Sequence, residues 1–148
     1  MCFDGYWKRP DATAEKVQDG WLRTEDLGVL SEDGSLSFRS RTDDVIISSG
    51  YKIGPTEIEE CLAEHDAVAS SGVIGVPHDT RGEIPKAFVA LAADANASDS
   101  MREALQNHVR SQLAKYQYPR AIEFVDDLPK TTTGKVRRLD LRKREGLA

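Results

Sequence analysis

Three loops of this 148-residue chain combine side chains that can bind an anion or another ligand. Residues 129–135 hold three threonines, a glycine and two lysines, a set of donors that suits an oxyanion. Their spacing is not that of the P-loop pattern G-x-x-x-x-G-K. Residues 39–44 form a charged corner, and in residues 48–55 Gly50 would let a ligand approach the backbone closely. A solvated turn or a helix entry explains each loop equally well when the loop is taken alone.

Strands must position these loops, and turn signals with apolar spacing predict where the strands lie. A β-hairpin is predicted over residues 28–39, with its turn at residues 31–34. The β-branched run at residues 45–47 predicts a strand that leads into the Gly50 loop. Two buried strands are predicted over residues 68–76 and 87–91, separated by a polar loop, and a last short strand over residues 122–125.

Helices are predicted from apolar residues at helical spacing. They comprise a short turn after Pro10 and longer helices over residues 55–64, 100–113 and 138–145. Thr56 with Glu59, and Ser100 with Glu103, fit capping boxes. The order of elements predicts an α+β fold, in which an N-terminal β-hairpin is followed by a small mixed three-stranded sheet packed with helices.

The composition excludes several classes of protein. With 39% hydrophobic and 30% charged residues, it is typical of one soluble globular domain and excludes a large two-domain enzyme. No apolar run approaches the roughly 20 residues that a membrane span needs, and residues 1–16 lack the pattern of a secretory signal. Cys2 and Cys61 form neither a disulfide framework nor a metal knuckle. The sequence therefore predicts two free thiols, no metal site and a cytoplasmic protein.

The charge is unevenly distributed along the chain. The net charge of −5 argues against general affinity for nucleic acid. Residues 135–148, however, carry six basic and two acidic side chains. This basic tail is either a solvated terminal helix or a local site for a phosphate or carboxylate.

Four motifs follow one another along the chain: GWLRTEDLG at residues 20–28, RTDDVI at 41–46, GYKIGPTEIE at 50–59 and LPKTTTGK at 128–135. Together they resemble the adenylate-forming superfamily of acyl-CoA synthetases, luciferases and peptide-synthetase adenylation domains. The resemblance covers about residues 5–144. It implies that residues 1–42 are the end of an N-terminal adenylation domain, with the hairpin leading to a hinge, and residues 43–148 a C-terminal lid domain. DVIISSGY at 44–51 and YQYPR at 116–120 are most similar to medium-chain acyl-CoA synthetases.

The resemblance implies a two-step reaction. A carboxylic acid, here a fatty acid, reacts with ATP to give an acyl-adenylate and pyrophosphate, and the CoA thiol then displaces AMP. In this superfamily the C-terminal domain rotates between the steps, so its partner is its own N-terminal adenylation domain. ATP, AMP and CoA are therefore expected as substrates and products, and Mg²⁺ is expected to arrive with ATP without being bound by this chain.

The motifs also assign roles for the first step, by resemblance. Lys135 matches the catalytic lysine of adenylation, whose ammonium can bridge the attacking carboxylate and the α-phosphate. Asp26 matches the residue that binds the ribose hydroxyls, and Arg41 the residue that supports the same ribose and the nucleotide. Asp43 matches the hinge, where the backbone changes conformation between the two states.

For the second step, the resemblance points to a CoA site. Ser49, Gly50 and Tyr51 match the tunnel for the pantetheine arm, and Lys52 would lie near the substrate end of that loop. The residues that match contacts to the CoA nucleotide are Arg81, Arg110, Tyr118, Pro119 and Arg120. Guanidinium groups suit phosphates, although ordinary surface charge explains the three arginines equally well.

Three residues depart from the superfamily's pattern, which usually has glycine at the positions of Glu25 and Ser40 and commonly arginine at that of Lys52. Glu25 would add a negative charge beside the ribose site, Ser40 would stiffen the approach to the hinge, and Lys52 would lose bidentate geometry. These departures affect the expected efficiency more than the identity of the site.

The superfamily's phosphate loop, adenine pocket and acyl pocket belong to its N-terminal domain, and none is found in these 148 residues. The chain alone is therefore expected to be inactive. Two alternatives remain open: a free-standing module that binds CoA, a nucleotide or a partner subunit without catalysis, and a nucleic-acid-binding tail built on residues 135–144.

Overall fold

The computed structural model describes residues 3–148, which divide into two compact units with the boundary between Asp43 and Asp44. The predicted thiol of Cys2 lies outside the described residues, whereas Cys61 is a buried free thiol. No helix among residues 3–148 is long and apolar enough to cross a membrane.

The first unit contains one helix and two pairs of antiparallel strands. These are α1 (Pro10–Lys16), β1 (Val17–Gln18) with β2 (Trp21–Leu22), and β3 (Asp26–Leu30) with β4 (Leu36–Arg41). Pro10 begins α1, where its missing N–H costs no hydrogen bond. The predicted hairpin is confirmed, and its ladder continues outward to a pair between Asp26 and Arg41.

The second unit is an α+β fold, as predicted. Its strands are β5 (Ile46–Ser48), β6 (Tyr51–Ile53), β7 (Val68–His78), β8 (Gly82–Leu91) and β9 (Ala121–Phe124). Its helices are α2 (Pro55–Ala63), α3 (Asp99–Gln112) and α4 (Arg138–Arg144).

The sheet is mixed and has five strands rather than the predicted three. At its centre, β7 and β9 lie on either side of β8, antiparallel and parallel to it respectively. The additional hairpin of β5 and β6 joins the start of β8 through the pair Ser48 and Gly82. The β-branched run at residues 45–47 predicts β5, whereas the three residues of β6 are too few for alternation to reveal a strand. The polar loop predicted at residues 77–83 is mostly strand, because Pro77 and Glu83 still pair in the ladder.

Alternate residues of β8 build two separate cores. Ala87 and Val89 pack with the apolar faces of α2 and α3, whereas Phe88 packs with Leu128 and Leu141 on the other face. Adjacent residues of a strand point to opposite faces. The sheet is therefore covered on one side by α2 and α3 and on the other by α4 and the segment before it.

Both predicted capping boxes are wrong. Helix α2 begins after Gly54 without a side-chain cap, because Glu59 turns inward to Arg138 and the Val73 N–H. Helix α3 is capped by Ser98, two residues before the predicted position, where Ser98 Oγ accepts the Met101 N–H at 3.1 Å.

Candidate functional site

The tip between β5 and β6 is a tight two-residue turn. Ser48 pairs with Tyr51, and the intervening Ser49 and Gly50 have φ values of 50° and 83°. This left-handed pair fits a type I′ hairpin turn, which matches the twist of the flanking strands. No atom lies within 4 Å of the place where a Gly50 side chain would begin, so the backbone there is open to a ligand. The predicted role of Gly50 in close approach thus has a geometric basis.

Arg81 fixes this tip from the β7–β8 turn. The Ser49 N–H donates to the Arg81 carbonyl at 2.9 Å, and the Arg81 guanidinium donates to Ser49 Oγ at 3.1 Å. These two bonds join residues that lie 32 positions apart in the sequence. The structure therefore brings the predicted tunnel loop and one of the predicted phosphate-binding arginines together.

The other two predicted arginines surround Tyr118. Arg110 lies 3.9 Å and Arg120 4.8 Å from the centre of the Tyr118 ring, and an Arg120 nitrogen donates to the phenol oxygen at 2.8 Å. Burial raises the pKa of the Tyr118 phenol, but its bond with Arg110 and the charges of Arg120, Arg110 and Arg81 outweigh this, so the pKa lies below its usual value. Among the described residues, no carboxylate pairs with any of the three guanidinium groups.

Residues 116–120 alternate between this cluster and the interior. Gln117 and Pro119 are buried, whereas Tyr116, Tyr118 and Arg120 are more exposed. The Gln117 amide donates to Glu57 at 2.5 Å, and the Pro119 carbonyl accepts from Gln106 at 3.0 Å. Pro119 therefore anchors the segment instead of presenting its ring to a ligand.

Tyr116 joins the site although the sequence analysis did not assign it there. Its ring stacks on Tyr51 with the centroids 4.2 Å apart and the planes 10° from parallel. This contact connects the Gly50 tip to the Tyr118 segment. The one available signal was an aromatic residue at every second position of a polar stretch, which marks an extended segment with a shared face.

The Lys135 loop is tightly built, and its lysine points outward. The Thr131 N–H donates to the Lys135 carbonyl at 2.8 Å, and the Lys135 N–H donates to Thr131 Oγ1 at 3.1 Å. Lys130 and Val136 pair as an isolated antiparallel bridge that closes the loop. The Lys135 side chain is exposed, and within residues 3–148 its ammonium has no carboxylate partner.

Lys135 and the arginine cluster, which comprises Arg81, Arg110 and Arg120, belong to opposite faces of the sheet. Tyr118 packs on the core shared by α2 and α3, whereas Val136, next to Lys135, packs on the core of Phe88 and Leu141. Lys52 neighbours Tyr51 on β6 and so points to the other side of that strand. The predicted adenylation and CoA residues therefore form two distinct surfaces.

The first unit brings the predicted ribose and hinge residues together. Arg41 binds Asp43 through two nitrogens, at 2.9 Å and 3.4 Å, and another of its nitrogens lies 3.7 Å from Asp26. Glu25 has a φ of 66°, a left-handed conformation that suits glycine, the usual residue of the superfamily here. Its carboxylate accepts from Lys16 at 2.7 Å and from Thr42 at 2.9 Å, so it is partly neutralised. These bonds hold the pKa of Glu25 below its usual value.

A buried network of ion pairs engages basic side chains of the tail at residues 135–148. Arg138 and Arg142 bind the buried Asp44 at 2.9 Å and 2.8 Å, and Arg138 also binds Glu59. Burial raises the pKa of Glu59 despite the opposing effect of Arg138. The terminal helix is therefore not simply solvated, because its three arginines all pair with carboxylates of the same chain, Arg144 with Glu123.

Comparisons with known proteins agree with this geometry. A family model described as the AMP-binding enzyme C-terminal domain matches residues 57–135. The human protein named mitochondrial acyl-coenzyme A synthetase ACSM1 is 46% identical over 147 residues, covering 98% of this chain and 25% of its own length. The chain thus spans about a quarter of the length of this curated relative. The chain belongs to the family of AMP-binding enzyme C-terminal domains.

Solved structures give the same result. ATP-bound MatB from Rhodopseudomonas palustris matches with a TM-score of 0.83 and 36% identity, over 96% of this chain and 28% of MatB. MenE, the o-succinylbenzoate CoA synthetase of Bacillus subtilis in complex with its acyl-adenylate intermediate, matches with a TM-score of 0.85 and 35% identity, over 94% of this chain and 28% of MenE.

Proposed function

We propose that this chain is the C-terminal lid of an AMP-forming fatty acyl-CoA ligase. In this proposal, residues 1–42 are the end of the N-terminal adenylation domain and residues 43–148 the lid. The observation that carries it is the cluster of three arginines without carboxylate partners in residues 3–148, located beside an open glycine turn in a member of this family. Such a cluster suits a polyphosphate whose flexible arm runs along the turn.

Lys135 supplies the positive charge for adenylation. A carboxylate oxygen of the acid attacks the α-phosphorus of ATP, the bond to the β-phosphate breaks and pyrophosphate leaves. Two anions approach each other in this step, so an ammonium positioned between them lowers the barrier. The short bonds within the Lys135 loop hold the backbone in place before reaction, while the exposed side chain is able to reach the substrate.

The Gly50 tip and the arginine cluster act in thioester formation. Arg81, Arg110 and Arg120 bind the phosphates of the CoA nucleotide, and the pantetheine arm passes Ser49, Gly50 and Tyr51. The sulfur attacks the acyl carbonyl carbon, the thiol loses its proton and AMP leaves. The pairing of Arg81 with Ser49 supports this role, because it places one phosphate-binding group directly at the tip.

Rotation about Asp43 exchanges these two surfaces at one active site. Asp26 and Arg41 bind the ribose hydroxyls of ATP, and Lys52 lies near the acid. The ion pair of Arg41 with Asp43 supports a connection between the ribose site and the hinge.

The substrates and surroundings follow from the same proposal. The acid is a fatty acid and the partner is the protein's own N-terminal adenylation domain, as the similarity to ACSM1 suggests. Within residues 3–148, no cluster of three or more metal-ligating side chains is found. We propose a cytoplasmic location because Cys61 is a free thiol, and cell fractionation would test it.

Lys135→Ala in the full-length ligase tests the proposal. We expect adenylation, measured with acid and ATP, to fall about 100-fold to 1,000-fold because the charge in the transition state is lost. Thioester formation from pre-formed acyl-adenylate and CoA should stay near wild type. Lys130→Ala is the matched control, since Lys130 lies in the same loop and pairs with Asp127 at 3.2 Å. Equal slowing of both steps, or an equal effect of Lys130→Ala on adenylation, would show that the assigned role is wrong.

A further inference from the structure

We propose that Arg138 is a positioning residue that fixes the Lys135 loop relative to Asp44, the residue after the proposed hinge. All three guanidinium nitrogens of Arg138 are used. One donates to Asp44 at 2.9 Å, and the other two donate to Glu59 at 2.5 Å and 3.1 Å. The bonds join Arg138 to residues 94 and 79 positions earlier in the chain. The inference rests on the proposed function of Lys135.

The network around Arg138 is complete, so it defines one geometry. Arg142 donates to the second oxygen of Asp44 at 2.8 Å, and Glu59 also accepts the Val73 N–H at 2.7 Å. Two carboxylates face two guanidinium groups, and Asp44 is only 7% exposed. A buried pair of this kind tolerates little displacement, because a moved partner leaves an uncompensated charge.

Helix α4 depends on this network for its orientation. It has seven residues, and Leu141 is the one that is buried. A helix this short is not stable by itself in water. A single apolar anchor still allows the helix to turn about it, and the ion pairs of Arg138 and Arg142 with Asp44 and Glu59 restrict that freedom.

Only Val136 and Arg137 separate Arg138 from Lys135. Val136 pairs with Lys130, and the Arg137 N–H donates to the Pro129 carbonyl at 2.8 Å. The loop is therefore held at its base, and the Arg138 network determines where that base lies relative to Asp44. A displacement of about 1 Å far from the chemistry can reduce a rate by about 100-fold.

Arg138→Lys in the full-length ligase tests the inference. Lysine keeps the charge and the aliphatic stem, but it cannot bind both carboxylates as a fork. We expect the kcat of adenylation to fall by about 10-fold to 100-fold, with the KM for ATP and acid unchanged. Thioester formation from pre-formed acyl-adenylate should not change. Arg144→Lys is the control: Arg144 lies on the same helix, but it pairs with Glu123 and is half exposed.

If Arg138 only stabilises the fold, the rates of both half-reactions should fall by the same factor in Arg138→Lys. That result, or an unchanged adenylation rate, would overturn the inference. Asp44→Asn, which keeps the shape of the side chain, should reproduce the selective loss if Arg138→Lys folds poorly. Lys135→Ala serves as the reference. If Lys135→Ala is slow while Arg138→Lys is normal, the positioning role fails alone, whereas a normal rate for Lys135→Ala refutes the proposed role of the lysine itself.

Discussion

Gly72, in the middle of β7, packs unusually closely against the segment that carries Lys135. A Cβ atom at Gly72 would lie 2.8 Å from Val136 Cγ1 and 2.9 Å from Leu141 Cδ1. Leu141 is buried in the core around Phe88 and the partly buried Val136 packs against that core, so neither can move without disturbing its packing. Gly72→Ala should therefore force Val136 and α4 away from the sheet.

The size of the effect follows from two opposing terms. Overpacking a close-packed core by one methyl group costs about 1–3 kcal/mol. Replacing glycine with alanine also restricts the unfolded chain, which stabilises the folded state by about 0.4–1 kcal/mol. We expect the free energy of unfolding to fall by roughly 1–2 kcal/mol. In the full-length ligase, the adenylation rate should fall as well, because Val136 is next to Lys135.

Urea unfolding of this chain, followed by far-ultraviolet circular dichroism, is the suitable measurement. Tryptophan fluorescence would report on the wrong unit, because Trp7 and Trp21 both lie before Asp43. Gly75→Ala on the same strand is the matched control. Its Cβ would meet the carboxylate of Glu83 at 3.0 Å, the far end of a flexible, partly exposed side chain that can turn away.

Gly75→Ala should cost less than about 1 kcal/mol, the scale of the one hydrogen bond that Glu83 makes to the Ile47 N–H. The cost of Gly72→Ala should also shrink when Val136→Ala is present, because the nearest clashing methyl group is then gone. Equal losses for the two glycine variants, or no coupling with Val136, would refute the packing argument.

Two further predictions concern Tyr118 and Asp43. Because the pKa of Tyr118 is lowered on folding, its phenolate favours the folded state. The free energy of unfolding of the wild type relative to Tyr118→Phe should therefore increase as the pH rises toward the phenol's ordinary pKa of 10.0. It should decrease again as the pH falls. Urea unfolding of both proteins between neutral and alkaline pH measures this, and a constant difference contradicts it. Asp43→Pro in the full-length ligase fixes φ near −65°. This variant should leave one half-reaction intact while the overall rate falls sharply. Asp43→Ala is the control, because it tests the loss of the carboxylate alone. Near-normal half-reactions and overall rate in Asp43→Pro would mean that Asp43 is an ordinary turn residue.

Local patterns predicted the elements that are long enough to show a period. The hairpin before Asp43, the three central strands and the three longer helices lie within a few residues of their predicted positions. The Gly50 turn was also readable, because glycine is suited to the left-handed conformation that it adopts there. The α+β class follows from the order of these elements.

Contacts between residues that lie far apart in the sequence could not be predicted in the same way. The capping-box pattern at Thr56 and Glu59 is local, but Glu59 gains more from the buried Arg138, which lies 79 residues away. No spacing rule connects those positions. Tyr116 was missed for a similar reason, since it lies between α3 and β9, whereas its partner Tyr51 lies on β6. Long-range pairs of this kind arise only when the sheet is assembled.

The arginines of the second unit show why net charge is a poor guide to this site. Arg138 and Arg142 are two of the arginines that carboxylates engage, and their charge is largely compensated by Asp44 and Glu59. Arg110 and Arg120 contact the Tyr118 ring and Arg81 donates to Ser49, so no carboxylate within residues 3–148 compensates the charge of these three. Salt screens charges beyond about 8 Å, and an anion at the cluster therefore senses three local cations more strongly than the chain's net charge of −5. The polyphosphate site that we propose is therefore compatible with an acidic chain that does not attract nucleic acid in general.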